Sequence, residues 1–185
     1  MTKIGKKGFT LIELLAVITI MGILMLVAIP AISRTIENSR RDTFANAAKE
    51  YVNAVRNAVL ADNISCDSQT ASGTPDGIYY FVLSSGDDGT IKDLMEAGGK
   101  SPFGGANMSG YVKWVKTTTD GKTTTKYWIS LTDTGMHGLS TSTDATPAPT
   151  EVDENEIKRS IVKTKLTAQS AAAPTDSGAV ACSLN

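Results

Sequence analysis

An apolar stretch of 22 residues near the N-terminus restricts the fold of this chain more than any other feature. Between Leu11 and Ile32 the only ionisable side chain is Glu13, and apolar residues fall on every side of the predicted helix. At the rise of an α-helix the stretch would be about 33 Å long, close to the hydrocarbon thickness of a bilayer, about 30 Å. The stretch is therefore predicted to be buried all round, in lipid or in protein, and it can cross a membrane.

The charges on either side of this stretch predict its orientation. Lys3, Lys6 and Lys7 precede it, whereas the chain from Phe9 onward carries 15 basic and 19 acidic residues. Basic residues that flank a membrane segment stay on the cytoplasmic side, so the remainder of the chain is sent outward. The formal net charge of -1 over 185 residues gives no support for general nucleic-acid binding.

A cleaved secretory signal peptide and a permanent anchor are the two simplest alternatives for the stretch. A signal peptide, cut near residues 31–33, is disfavoured because the apolar run exceeds the usual core of about 7 to 15 residues and contains a carboxylate. A permanent anchor fits the length but leaves Glu13 unexplained, since an unpaired ionisable residue at mid-depth costs about 2.5 to 3.5 kcal/mol.

Residues 6–32, KKGFTLIELLAVITIMGILMLVAIPAI, resemble the N-terminus of a type IV prepilin: a short basic leader, Gly8, Phe9, and a hydrophobic helix with Glu13 at its fifth position. The resemblance implies cleavage between Gly8 and Phe9 by a prepilin peptidase and N-methylation of the new Phe9 amine. It also implies the α+β fold of type IV pilins. In that fold a long N-terminal helix, whose hydrophobic half protrudes, packs by its C-terminal half on a small antiparallel β-sheet head.

Glu13 acquires a partner if the chain is cut after Gly8. The cut removes the three leader lysines and creates an α-amino cation on Phe9, which a carboxylate on a neighbouring chain can neutralise. The unpaired N–H groups of the first helical turns also favour a negative charge there, by about 0.3 to 1 kcal/mol. Because an unpaired Glu13 would be buried once the apolar helices cover one another, we expect it to fix the axial register of the subunits.

Gly22 and Pro30 lie inside the apolar helix. Proline removes a backbone donor and loosens the preceding turn, although membrane helices tolerate both residue types. In type IV pilins the corresponding segment loses helicity in the filament. The resemblance therefore implies that the segment between Gly22 and Pro30 melts on assembly and is helical in the isolated subunit.

The chain is predicted to have three parts: a cleaved leader at 1–8, a long helix at 9–62 with its membrane or filament-core part at 9–32, and an extracellular head at 63–185. After Pro30 the helix becomes amphipathic. Its predicted buried face is Phe44, Ala48, Tyr51, Val52, Val55 and Val59.

Two segments of the head predict an antiparallel sheet packed on that face. Residues 78–85 form a short run of β-formers between turn signals. Residues 111–131 predict a hairpin, because Asp120 and Gly121 stand between two threonine-rich arms as a type I′ turn requires. A short helical turn is predicted at 91–100, followed by a loop at 101–110.

The C-terminal third gives weaker signals. The Ser/Thr/Pro-rich residues 140–150 predict an exposed linker. Thr150 and Asp153 predict a capping box that opens a helix over 151–160, while the alternation over 162–166 indicates a last strand instead.

Cys66 and Cys182 are the only cysteines. An even number outside the membrane favours a disulfide, which would close almost the whole head, stabilise it by about 4 to 5 kcal/mol and hold the apolar-poor tail. Two free thiols are the alternative.

No enzymatic site is predicted. His137 is the only histidine and lies in a turn-like segment, and no P-loop, nucleophile elbow or H-E-x-x-H motif is present. Asp133 and Asp144 are too sparse for a calcium cage. No catalytic residue, metal or cofactor is expected.

The resemblance implies a structural subunit, expected to be the major pilin, of a type IV pilus used for adhesion or twitching motility. Its partners would be other copies of itself, the prepilin peptidase and a membrane assembly platform. It would be a single-pass membrane protein before assembly and extracellular afterwards. The alternatives are a minor pilin with a ligand- or DNA-binding tip, or a pseudopilin of a secretion or competence system. The head has no basic, aromatic-rich stripe, which argues against nucleic acid.

Overall fold

The computed structural model describes residues 8–66, 69–70, 73–84, 99–171 and 173–185. The chain divides into two compact units, one ending at Ser39 and the other extending from Arg40 to Asn185. The long helix α1, Leu11–Leu60, contributes residues to both units.

The first unit is the start of α1. Every described residue up to Ser39 is exposed, including the large apolar side chains from Phe9 to Ile36. By length and composition alone, α1 is the one described helix that could cross a membrane. The helix is continuous through Pro30, although proline removes one backbone N–H donor from it.

The part of α1 in the second unit has one buried face. The predicted face is confirmed, because all six of its residues are buried, and Ala45 and Ala58 extend it. These residues share a core with the inner face of the sheet, where Phe81, Trp114 and Ile129 are buried. The spacing of three and four residues is what brings the apolar side chains to one side of the helix.

Nine strands among the described residues form the sheet of the second unit. They are β1 (Ile64–Cys66), β2 (Gln69–Thr70), β3 (Gly77–Ser84), β4 (Met108–Thr119), β5 (Lys122–Asp133), β6 (Gly138–Leu139), β7 (Val152–Asp153), β8 (Val162–Lys163) and β9 (Val180–Leu184). Their order is β2-β1-β9-β3-β4-β5-β6-β8, and β7 also pairs with β5. The α+β architecture is thus confirmed. One pairing departs from the predicted antiparallel sheet, because β9 runs parallel to β3 while it is antiparallel to β1.

The β4–β5 hairpin is the longest pair in the sheet. Thr119 pairs with Lys122 across a two-residue turn, and both turn residues have positive φ, 52° at Asp120 and 75° at Gly121. This backbone is that of a type I′ turn, as the Asp-Gly pair predicted. Near the other end, a Cβ at Gly110 would lie 1.9 Å from the backbone oxygen of Ser130, so only glycine fits there.

The helix predicted over 151–160 is wrong. This segment contains β7, two short 3-10 turns, Glu154–Glu156 and Arg159–Ile161, and it leads into β8. Asp153 caps the first turn by accepting from the backbone N–H of Asn155, whereas the hydroxyl of Thr150 accepts from the N–H of Thr141. The sheet edge overrides the helical signals, because the backbones of β7 and β8 pair with β5 and β6. Of the strand predicted over 162–166, only Val162–Lys163 forms.

Residues 140–150 form a closed loop rather than a free linker. The hydroxyl of Ser140 donates to the backbone oxygen of Ala148 at 2.7 Å, and the N–H of Thr150 donates to that of Leu139 at 3.1 Å. Most of the loop is exposed, as predicted, but Ser140 and Pro147 are buried. The helical turn predicted at 91–100 falls mainly outside the described residues, and the loop predicted at 101–110 ends early, because β4 begins at Met108.

Candidate functional site

The start of α1 contains a reciprocal pair of hydrogen bonds between Thr10 and Glu13. Oε2 of Glu13 accepts from both the backbone N–H and the hydroxyl of Thr10, each at 2.8 Å. The N–H of Glu13 donates to the hydroxyl oxygen of Thr10 at 3.3 Å, and the N–H of Leu14 donates to the backbone oxygen of Thr10. Thr10 is therefore the N-cap of α1 and Glu13 its third residue, an arrangement known as a capping box.

The sequence analysis missed Thr10. The signal was present, because Thr10-Leu11-Ile12-Glu13 has the threonine and glutamate spacing of a capping box directly before an apolar run. The consequence concerns Glu13: its own chain already orients the carboxylate at the helix N-terminus, where free N–H groups favour a negative charge. The chain thus holds this charge in a fixed position at the start of the helix.

Gly8 and Phe9 precede the cap and are exposed in non-helical backbone. A Cβ placed on Gly8 would meet nothing within 4 Å. The fold of the chain therefore gives no reason for a glycine at this position. An exposed peptide bond outside a helix is one that a protease can reach.

Gly22 and Pro30 lie within α1, and the helix is continuous from one to the other. A Cβ on Gly22 would also meet nothing within 4 Å. Their role in assembly stays a prediction.

The disulfide between Cys66 and Cys182 joins β1 to β9, where the two residues are directly paired. Their Cα atoms are 4.3 Å apart, and 116 positions separate them in the sequence. Nearby, the N–H of Asn185 donates to the backbone oxygen of Asn63 at 2.9 Å. The two ends of the head, residues 63–185, are thus held together covalently and by the sheet.

A buried lysine holds two distant segments on the outer face of the sheet, the face opposite α1. Nζ of Lys113 forms ion pairs with Glu151 and, at 2.9 Å, with Asp176. Burial opposes the charge on Lys113, but the hydrogen bonds to the two carboxylates outweigh it, so its pKa is raised. The hydrogen bond from Lys113 in turn lowers the pKa of Asp176. The pair therefore stays ionised near neutral pH and ties the tail to β4.

Ser101, Asp133 and His137 form the arrangement most similar to a catalytic group. Oδ2 of the buried Asp133 accepts from the hydroxyl of Ser101 at 2.6 Å and lies 2.9 Å from Nδ1 of His137. Both partners thus meet the carboxylate, whereas a serine nucleophile must contact the histidine that takes its proton. Among the described residues there is also no group of three or more side chains suited to a metal ion.

A family model described as the prokaryotic N-terminal methylation motif matches residues 4–29. No curated protein matches the chain, and no solved structure matches it. The match confirms the prepilin resemblance: the chain carries a type IV pilin-like class III signal peptide. The motif supports a type IV pilin-like or pseudopilin-like protein, and it points to a family of structural subunits.

Proposed function

We propose that this protein is the major structural subunit of a type IV pilus. The observation that carries the assignment to a type IV filament is the methylation motif at residues 4–29, together with a helix whose large apolar side chains from Leu11 to Ile32 are all exposed in the single chain. Exposed apolar surface of this extent needs lipid or other subunits to cover it. The membrane supplies lipid to cover this surface before assembly, and a helical filament supplies other subunits to cover it afterwards.

The first step is proteolysis by a prepilin peptidase. Hydrolysis of the Gly8–Phe9 peptide bond releases the leader with its lysines and leaves a free amine on Phe9, which is then N-methylated. The exposed position of both residues supports this assignment. Until this cleavage the whole chain remains anchored in the membrane, with its head outside.

Polymerisation is the second step, in which an assembly platform in the membrane adds subunits through residues 9–32. The carboxylate of Glu13, oriented by Thr10, pairs with the Phe9 amine of a neighbouring subunit and so sets the axial register. Two charges in an apolar filament core must pair, because a buried charge without a partner costs several kcal/mol. The segment from Gly22 to Pro30 melts as the helices pack, which would make the fibre extensible.

A direct test is mass spectrometry, without reduction, of filaments sheared from cells that express this chain. We expect an N-terminus at Phe9 carrying one additional methyl group, together with a peptide pair linked through Cys66 and Cys182. An N-terminus at Met1, or one near Ser33, would overturn the proposal.

Two other candidates are a pseudopilin of a secretion or competence system and a minor pilin at the filament tip. The methylation motif favours these as much as a major pilin, because it reports processing and not abundance. The number of copies per unit length of sheared filament separates them. We expect this chain to be the predominant subunit.

A further inference from the structure

The outer face of the β4–β5 hairpin carries an open cleft of about 420 Å³. The side chains at its wall come from alternate positions of the two strands, and are Val115, Thr117, Thr119, Thr124, Lys126 and Trp128. Two pairs of these residues are directly opposite each other, Lys126 with Val115 and Thr124 with Thr117. Trp128 is opposite Lys113, which precedes them on β4. From the Trp128 pair to the turn the face extends over six residues, about 20 Å at the rise of a strand.

Trp128 differs from the other tryptophan of the chain in its surroundings. Trp114 points to the core and is 1% exposed, whereas Trp128 is half-buried and lines the cleft. Nζ of Lys113 lies 5.1 Å from the centre of the Trp128 ring, and the ion pairs of Lys113 with Glu151 and Asp176 fix that contact. The indole is thus held as a rigid platform beside the cleft, and the charge of Lys113 is already neutralised.

The residues between this platform and the turn define the chemistry of a ligand. The threonines supply hydroxyl groups that both donate and accept hydrogen bonds. Lys126 is the one charged side chain among the described residues that line the cleft, and Lys122 follows it on the same face. A ligand that fits has an apolar face for the indole, hydroxyl groups for the threonines and a negative charge for the lysines.

We propose that this cleft binds an extended acidic saccharide. One face of a sugar ring carries mainly C–H groups and stacks on Trp128, the hydroxyls bond to Thr117 and Thr124, and a uronic-acid carboxylate pairs with Lys126. The length of the face fits a chain of sugars better than a single one. The inference rests on the proposed function in one respect, since a surface filament is what would display the cleft outside the cell.

The test uses the full chain, purified in lauryl dimethylamine oxide so that no sugar-based detergent competes. Trigalacturonic acid is titrated while tryptophan fluorescence is recorded, with neutral maltotriose as the comparison. We expect saturable binding of the acidic trisaccharide, at least about fivefold tighter than that of maltotriose, and weaker binding at high salt because the Lys126 contact is exposed. Absence of saturable binding to the folded protein would overturn the proposal.

Two neighbouring threonines provide a matched pair of variants. Thr124 faces the cleft, whereas Thr125 lies on the opposite face of the same strand, and both are exposed. Thr124→Ala should weaken binding of trigalacturonic acid about threefold, as loss of one hydrogen bond does, and Thr125→Ala should leave it unchanged. Trp128→Ala, with binding read by calorimetry, should weaken it at least about tenfold. Equal effects at Thr124 and Thr125 would contradict the assigned face.

Filament formation separates this inference from the proposed function. Trp128→Ala protein that remains folded should still be cut after Gly8 and should still assemble. If it is cut but no longer assembles, the face is a contact between subunits and the saccharide proposal is wrong. If wild-type protein binds the saccharide but forms no filament, the proposed function fails and the cleft assignment stands.

Discussion

Large apolar side chains have opposite environments in the two units of this molecule, although one helix supplies both sets. Before Ser39 they are exposed, with Leu11 at 85% and Leu26 at 80%. After Arg40, Phe44 and Val55 are completely buried against the sheet. The later residues find their partners within the chain, whereas the earlier ones need lipid or other subunits. The stability of the second unit is therefore measured by the unfolding of the head. That of the first unit is measured by the insertion or assembly of the N-terminal segment.

The largest effect of a substitution is expected at Gly8, in the first unit. Replacement by valine should abolish cleavage and hence filament formation, while the head folds normally, because a Cβ at Gly8 meets nothing within 4 Å. Mass spectrometry of membranes should find the intact leader. As a control, Gly22→Ala, at a position where a Cβ also meets nothing within 4 Å, should be cleaved like the wild type. A Gly8→Val protein that is still cleaved would contradict the assigned cleavage site.

Glu13 allows charge and capping to be separated. We expect Glu13→Ala to leave insertion and cleavage intact and to reduce the yield of sheared filaments at least about tenfold, because the register pairing is lost. Glu13→Gln keeps the capping box but removes the charge, so it should fail equally. Thr10→Ala removes the cap alone and should assemble. Wild-type yield from Glu13→Gln would show that charge does not set the register.

The disulfide should affect only the second unit. Cys182→Ser is expected to lower the free energy of unfolding of the head by about 4 to 5 kcal/mol, since it frees a loop of 116 residues. Urea denaturation of the full chain in detergent measures the change. Reduction of the wild-type protein should reproduce it, while cleavage after Gly8 stays normal. An unchanged midpoint would mean that the sheet alone holds β9.

Two valines of the same helix test the comparison most directly. Val55→Ala should lower the free energy of unfolding of the head by about 2 kcal/mol, because Val55 is completely buried. Val27→Ala should leave it unchanged, since Val27 is 74% exposed. Equal changes in the urea midpoint would show that the two units unfold as one.

The smallest effect is expected at the exposed ion pair of Asp42 with Arg159. Nε of Arg159 donates to Asp42 at 2.7 Å, and this hydrogen bond lowers the pKa of the carboxyl below its ordinary value of 3.8. A lowered folded-state pKa adds stability above that ordinary value, and the addition is lost as the pH falls through the folded pKa. Asp42→Asn should therefore lower Tm slightly at pH 7, and the difference should shrink as the pH falls below 3.8. A difference that does not shrink as the solution is made more acidic would exclude this cause.

Much of the fold was predictable wherever the signal lies in neighbouring residues. The buried face of α1 follows from the spacing of Phe44, Tyr51 and Val55, and the hairpin follows from Asp120 and Gly121. The capping box is equally local, because Thr10 and Glu13 stand three residues apart directly before the apolar run. The helix predicted at 151–160 failed for the opposite reason, since its local signals were outweighed by pairing with the sheet.

Three features can be read from the amino-acid sequence alone, because a period or a turn is encoded in consecutive residues: the membrane-length helix, its signal peptide motif and the hairpin. Three others become visible only in the folded chain: β9 lies between β1 and β3, Lys113 meets Glu151 and Asp176, and Trp128 faces outward beside a cleft. These contacts join positions far apart in the chain. Which distant segments meet depends on how the whole core packs, and no local pattern records it.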